Sequence, residues 1–333
     1  MRKSLLLVVV SMLASMLALA GCGSEQGSGS TEKEDKKYVI GATQILEHPS
    51  LDAAFKGFKK ALEDEGFKEG ENVEYDFQNA QNDQSNAQTI ANNFVGDKVD
   101  LIFANSTPSA LSALNATKEI PIVFTSVTDP VGAGLVKALD EPGKNITGTS
   151  DTHPEAISNT VNFMIDEIGV KKIGIVYNSG EQNSVVQVEE VKKIAKDKGA
   201  EVVTASVATS ADVKQAAESL VGRVDAIYMP TDNTVVSAIE SLIGIANEKD
   251  IPLFAGDLDS MERGAVAASG FNYEDLGYQT GLMAAQILKG EKKPSELDIE
   301  YPKDFTLVIN KEAAEKQGIE VKEEWSEIGK FLE

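Results

Sequence analysis

From Tyr38 onward, short apolar runs alternate with segments of helical period. Strand-like runs cover Tyr38–Thr43, Val73–Phe77, Val99–Ala104, Ile120–Ser126 and Ile146–Thr149. A second series covers Lys172–Tyr177, Glu201–Ser206, Ala226–Met229, Pro252–Ala255 and Ala265–Ala268. Between them the spacing predicts amphipathic helices over Leu51–Glu65, Gln84–Val95, Pro108–Thr117, Glu155–Ile168, Ser184–Lys198, Ala211–Leu220, Asn233–Lys249 and Leu276–Lys289. In the first helix, Leu51, Ala54, Phe55, Phe58 and Leu62 share one face. Near-continuous apolar strands separated by helices call for parallel sheets covered on both faces.

The strand series is too long for one compact sheet, and it restarts after the polar stretch Gly148-Thr149-Ser150-Asp151-Thr152-His153-Pro154. The fold class this predicts is α/β: two doubly wound parallel-sheet lobes joined by hinge strands around a central cleft. The chain crosses between lobes near that stretch, near Phe271–Asn272 and near Tyr301–Phe305. The first lobe is expected to comprise residues 38–150 plus 273–300, and the second 151–272 plus 301–333. Hinged lobes can close over a ligand.

The first 21 residues change the picture of where such a molecule works. Arg2 and Lys3 precede an apolar stretch from Leu5 to Ala20, and Leu19-Ala20-Gly21 leads into Cys22, the sole cysteine of the chain. This is a secretory leader ending in the small-small-Cys pattern of a bacterial lipoprotein. Residues 1–21 are read as a signal peptide, and Cys22 as the lipidated first residue of the mature chain, bearing palmitate and other acyl chains. Residues 22–37, rich in Gly, Ser and charge, are read as a flexible tether. The expected location is extracytoplasmic, anchored to the cell membrane through the lipid on Cys22.

Composition excludes several classes. The net charge is −22, and removal of Arg2 and Lys3 with the leader leaves −24. Such a surface repels nucleic acid and anionic headgroups. No second apolar run approaches the length of a membrane span. A folded part without cysteine has neither disulfides nor thiolate chemistry. Two histidines, His48 and His153, make a histidine-rich zinc site improbable. No cofactor and no metal are expected, and the protein is expected to be a monomer.

In open parallel sheets, ligands bind beyond the carboxyl ends of the strands, where helix N-termini point. That rule selects Gln44 and His48 after the first strand, Ser106 and Thr107 after the third, Ser126 and Thr128 after the fourth, and Asp151 in the crossover. In the second lobe it selects Tyr177, Asn178, Glu181, Asn183, Ser184, Thr231, Asp232, Asn233 and Asp257. Each alone is most often a helix cap; the set, converging from two lobes, makes a polar cleft for a small polar or zwitterionic solute. These loops hold carboxylates and no Lys or Arg. A ligand carboxylate would therefore rely on helix N-termini and on Ser106, Thr107 and Ser126. A ligand ammonium would sit against Asp232 or Asp151.

Several segments at these loops carry a family resemblance: His48-Pro49-Ser50-Leu51-Asp52, Val127-Thr128-Asp129-Pro130-Val131, Asn145-Ile146-Thr147-Gly148-Thr149-Ser150-Asp151, Tyr177-Asn178 with Glu181 and Asn183-Ser184, and Met229-Pro230-Thr231-Asp232-Asn233-Thr234. In order and spacing, Tyr38 to about Ile319 resembles an ABC-transporter solute-binding lipoprotein of the tryptophan/tyrosine type. That group has the periplasmic binding protein-like fold, type I, with three hinge strands. The resemblance implies capture of an aromatic amino acid, tryptophan first, and delivery to a membrane permease driven by an ATPase. Family members have Ala after His-Pro where this chain has Ser50.

Other readings stay open at this point. The solute could be a sugar, a nucleoside or a peptide-like molecule, and the lobes could serve as input to a chemoreceptor. A hydrolase is the enzymatic alternative, but neither a Gly-x-Ser-x-Gly elbow nor a phosphate-binding loop of the Gly-Lys-Ser/Thr type occurs.

Overall fold

The computed structural model describes residues 36–332. The leader, Cys22 and nearly all of the tether lie outside the described residues. The first lobe is built on β1 (Tyr38–Gln44), β2 (Val73–Asn79), β3 (Leu101–Asn105), β4 (Ile122–Val127) and β5 (Ile146–Ser150), all parallel, in the order β2-β1-β3-β4-β5. Between the strands run α1 (Pro49–Asp64), α2 (Gln84–Asp97) and α3 (Thr107–Ala116). Alternate residues of β3 feed two separate cores. Leu101 and Phe103 pack with Ile40, Phe58 and Met283, whereas Ile102 and Ala104 pack with Phe94, Ala110 and Phe124. Both faces of the strand are thus buried, which is why the sequence reads as an unbroken apolar run.

After the first crossover, α4 (Ala156–Asn162) continues as a π turn over Phe163–Glu167. The second sheet then forms from β6 (Lys172–Asn178), β7 (Glu201–Val207), β8 (Ala226–Met229), β9 (Leu253–Ala255) and β10 (Ala267–Gly270). Its helices are α5 (Gln182–Asp197), α6 (Val213–Glu218), α7 (Asn233–Val236) and α8 (Ile239–Lys249). The single helix expected over Asn233–Lys249 is broken: Ala238, at φ −117 and ψ 22, leaves the helical region and starts a new helix. β8 divides its residues as β3 does, with Ala226 and Tyr228 in one core and Ile227 and Met229 in the other.

The chain then returns to the first lobe as α9 (Tyr273–Leu288), and residues up to Glu300 lie beside β5, with Ser150 N–H donating to Glu300 O at 2.9 Å. It comes back to the second sheet as β11 (Thr306–Ile309), followed by α10 (Lys311–Lys316) and β12 (Lys330–Phe331), completing the order β12-β11-β10-β9-β8-β6-β7. β11 runs antiparallel to β10, with Gly270 opposite Thr306. This departs from an all-parallel sheet for a geometric reason. β10 leaves its lobe at the hinge end and β11 enters there, so the two must point opposite ways.

α9 is seated on α1 by glycine. A Cβ on Gly57 would lie 1.9 Å from Glu274 O, and one on Gly277 would lie 1.8 Å from Ala54 O. The helices therefore touch backbone to backbone, and no side chain fits between them. Gly277→Ala is expected to destabilise the protein by about 2 kcal/mol through overpacking, read as a lower urea midpoint at unchanged slope. An unchanged midpoint would mean that the helices separate freely.

Candidate functional site

The carboxyl ends of both sheets deliver polar side chains to one place. β1 leads to His48, in extended conformation at the head of α1, where Pro49 sets the first helical φ. At the end of β4 the register against β5 shifts between Phe124 and Val127, and Ser126 sits at φ 56. Such a bulge re-aims a side chain at local backbone cost. Ser106, at the end of the neighbouring β3, is also strained, with φ 98. Asp151 follows β5, its N–H donating to Val127 O at 3.2 Å. From the second lobe come Asn183 in the first turn of α5, Thr231 and Asn233 after β8, and Asp257 after β9. Together with Ser50, Leu51, Thr128, Val236 and Tyr273 these residues enclose a cavity of about 20 Å³, room for roughly one water molecule.

Four residues of this lining present a buried polar atom that no protein group satisfies: His48 Nδ1, Ser126 Oγ, Asp151 Oδ1 and Asn183 Oδ1. Left without any partner, each such atom would cost about 1–3 kcal/mol; a water in the cavity can meet part of that need. The chemistry of two of them is fixed by their neighbours. Asp151 Oδ2 accepts from the Tyr273 hydroxyl at 3.0 Å, so Oδ1 is a spare carboxylate oxygen. The Asn183 amide nitrogen donates to Glu181 Oε2 and Thr231 O, both at 3.2 Å. Both are acceptors, so the amide cannot be turned and its oxygen must accept. The cavity therefore offers acceptors from the hinge and from the second lobe to a donor that is not part of the protein.

The electrostatics agree. Burial pushes the Asp151 carboxyl up to about 6, although the Tyr273 hydroxyl and the nearby Thr128 and Thr152 side chains pull the other way. Burial and the neighbouring Asp259 lift Asp257 to about 6. Burial lowers His48 to about 4, so its imidazole is neutral at pH 7. An incoming cation would restore charge balance to carboxylates that desolvation penalises. Arg263, beyond β9 and paired with Glu240 at 2.6 Å, is close enough for its charge to act on His48 and Asp257. The surroundings of the cleft are therefore not free of basic residues, although the loops that line it are. Among the described residues, no group of three or more His, Cys, Asp or Glu is placed to hold a metal ion.

Eight of the sequence-predicted residues line the cavity: His48, Ser126, Thr128, Asp151, Asn183, Thr231, Asn233 and Asp257. The others support it. Asp232 does not line the cavity. It is the N-cap of α7, and its two oxygens accept from Val235 N at 2.9 Å and Asn178 N at 2.6 Å. Burial, and then the charge of Glu181, raise its pKa; its polar capacity is spent within its own lobe. Glu181 accepts from the backbone N–H groups of Asn233 and Thr234 and holds that loop in place. Gln44 donates to Leu46 O and Asp52 Oδ1 beneath α1. Asn178 braces Gly180 and Thr234, Ser184 is fully buried beside Asn183, and Tyr177 packs against the second-lobe core. Ser106 and Thr107 lie at the start of α3, where Ser106 makes no capping bond and instead pairs with Ser109 at 3.3 Å. Sequence reasoning passed over Ser50, Leu51, Val236 and Tyr273. The first two sit in the His-Pro-Ser-Leu-Asp segment, but Tyr273 is recognisable only once α9 is seen to begin at the hinge.

The two lobes meet across this cavity. Asn82 of the first lobe, at φ 60, donates to Thr234 Oγ1 of the second at 2.8 Å. At the hinge, His153 stacks on Phe305 with centroids 4.4 Å apart, tying the first crossover to the third.

Comparison with known proteins places this architecture. A tyrosine-binding protein of Clostridioides difficile (strain R20291) is 45% identical over 316 residues, covering 93% of this chain and 91% of the relative. An ABC domain from Streptococcus pneumonia solved in complex with L-Trp is 34% identical, with a TM-score of 0.84 over 89% of this chain and 100% of that one. The ligand-free, open structure of a substrate-binding protein with adhesive properties from Clostridium difficile is 45% identical, yet its TM-score is 0.66 over 89% of this chain and 99% of that one. The more similar sequence superposes less well, as rotation between two lobes would produce. A family model described as ABC transporter substrate binding protein matches residues 39–329. The chain belongs to the ABC transporter substrate-binding protein family.

Proposed function

We propose that the protein captures an aromatic amino acid between its lobes and hands it to a membrane permease. The observation that carries this reading is the pair of spare buried acceptors, Asp151 Oδ1 and Asn183 Oδ1, facing one cavity. An α-ammonium supplies the donors and the positive charge that both lack. The α-carboxylate is assigned to the start of α1, a 16-residue helix whose residues Ser50 and Leu51 line the cavity. The first N–H groups of a helix have no partner within it and favour an anion. The Ser126 hydroxyl adds a further donor. The aromatic preference is supported by the relatives, and the higher identity of the tyrosine-binding relative puts tyrosine ahead of tryptophan.

In this reading the protein binds and releases its solute unchanged. Closure is favoured only by tighter binding to the closed form. The permease would then read rims of both lobes that come together on closure, and Cys22 would carry the lipid that holds the molecule at the outer face of the membrane. The tether would let a monomer dock without leaving the surface.

A thermal-shift screen of the twenty amino acids is expected to single out tyrosine and tryptophan, because a ligand that binds only the native state raises the midpoint. No shift with either would remove the aromatic assignment. Asp151→Asn keeps the shape but removes the charge, and is expected to weaken binding at least tenfold by calorimetry. Wild-type affinity in that variant would dismiss Asp151 as the ammonium anchor.

The pH dependence has a definite sign. Burial holds the Asp151 carboxyl of the ligand-free form up at about 6, and binding an ammonium requires it ionised. Below pH 6 a proton must leave on binding, so affinity is expected to fall by up to about tenfold per pH unit. Above pH 7 it should be level. Affinity that is flat or rises between pH 7.5 and 5 would contradict the assignment.

A further inference from the structure

Beside the polar cavity lies a second, larger space. It is a groove of about 300 Å³ bounded by both lobes and by the first and third crossovers. Its wall is largely apolar, formed by Pro130, Val131, Leu139, Ile157 and Val186 with the Tyr301 ring. Two carboxylates, Asp129 and Glu190, also border it. Asp129 Oδ1 is occupied by Gly132 N at 2.8 Å, and Glu190 lies 3.8 Å from Lys193 Nζ. Its lining holds no Lys or Arg, with His153 its one basic side chain, and it is chemically the complement of the cavity, in which Leu51 and Val236 are the aliphatic members.

The partition between the two spaces is thin. Thr128 lines both. Gln187, on the groove side, donates to Thr231 Oγ1 at 2.7 Å and accepts from Thr231 N at 3.1 Å, and Thr231 lines the cavity. Thr128 belongs to the first lobe, and Gln187 and Thr231 to the second, so the partition is made of side chains that separate when the lobes part. The cavity of about 20 Å³ has no room for a ring, whereas the groove reaches the lower end of the range for small-molecule pockets.

We propose that this groove is the side-chain compartment: with the lobes parted enough to enlarge the 20 Å³ cavity, the solute's charged head is held between its polar walls, and its aromatic ring passes between Thr128 and Thr231 into the groove. The assignment rests on the amino-acid reading above. It carries a consequence for selectivity. Val131 is 42% exposed and Pro154 is also exposed at the rim, so the far end of the groove opens to solvent. Aromatic amino acids extended at the para position are then accepted, as they would not be in a sealed pocket.

Val186→Trp and Val131→Trp fill the groove from opposite lobes at positions exposed enough to tolerate a large ring. Each is expected to weaken calorimetric binding of tyrosine and tryptophan at least tenfold, with a thermal midpoint near that of the wild type in the absence of ligand. On the unmodified protein, O-methyltyrosine is expected to bind within threefold of tyrosine. If both variants fold and keep wild-type affinity while Asp151→Asn loses it, the groove is not the side-chain compartment and the amino-acid reading stands. Rejection of O-methyltyrosine by more than a hundredfold would equally overturn the open groove. Failure of the wild type to bind any aromatic amino acid would remove both readings together.

Discussion

Asp151 holds one carboxylate oxygen against the Tyr273 hydroxyl and turns the other into the cavity, where it makes no hydrogen bond of standard geometry with the protein. Much of the site follows from that arrangement. A desolvated carboxylate oxygen is costly to leave unpaired, and three other buried atoms of the same lining share the predicament. A solute with matching donors satisfies these atoms together, where a single water can meet only some of them. This makes closure conditional: a molecule with donors for Asp151 and Asn183 gains more from the closed form than from the open one, and that difference alone can drive the lobes together.

The scaffold places this oxygen through the hinge. Asp151 stands in the first crossover, and its partner Tyr273 begins α9 just after the second. The His153–Phe305 stack joins the first crossover to the third. The three connections thus behave as one cross-braced strap, and the carboxylate sits on it, not on either lobe. Away from the hinge, the lobes contribute through rigid elements. The bulge at the end of β4 turns Ser126 inward, and the glycine contact between α9 and α1 fixes the helix whose N-terminus lines the cavity. Asn82 and Thr234 close the far side.

The architecture was legible because parallel strands buried on both faces leave continuous apolar runs, and because each run in both series ends in polar loop residues. That pattern located His48, Ser126, Thr128, Asp151, Asn183, Thr231, Asn233 and Asp257 near the cleft. It could not separate the residues that face the cavity from those that brace it. Asp232 and Asp151 look alike in sequence, an acid in a loop beside a strand end. Only tertiary geometry shows that the first caps α7 while the second has an oxygen to spare. The break at Ala238 and the reversal of β11 were invisible for related reasons. One is a local departure from helical φ, ψ without Gly or Pro to announce it, and the other is set by which end of the sheet the chain re-enters. Tyr273 belongs to the same class, since its importance depends on a crossover far away in sequence.

The C. difficile structure is open and ligand-free, the S. pneumonia one is bound to L-Trp, and the present form superposes better on the second. Small-angle X-ray scattering of the protein alone and with saturating tyrosine or tryptophan tests the central claim most directly. If unpaired acceptors at Asp151 and Asn183 hold the lobes apart until a solute satisfies them, the ligand-free radius of gyration is larger and contracts on saturation to the value calculated for the closed form. Identical scattering in the two states, already closed without ligand, would contradict it.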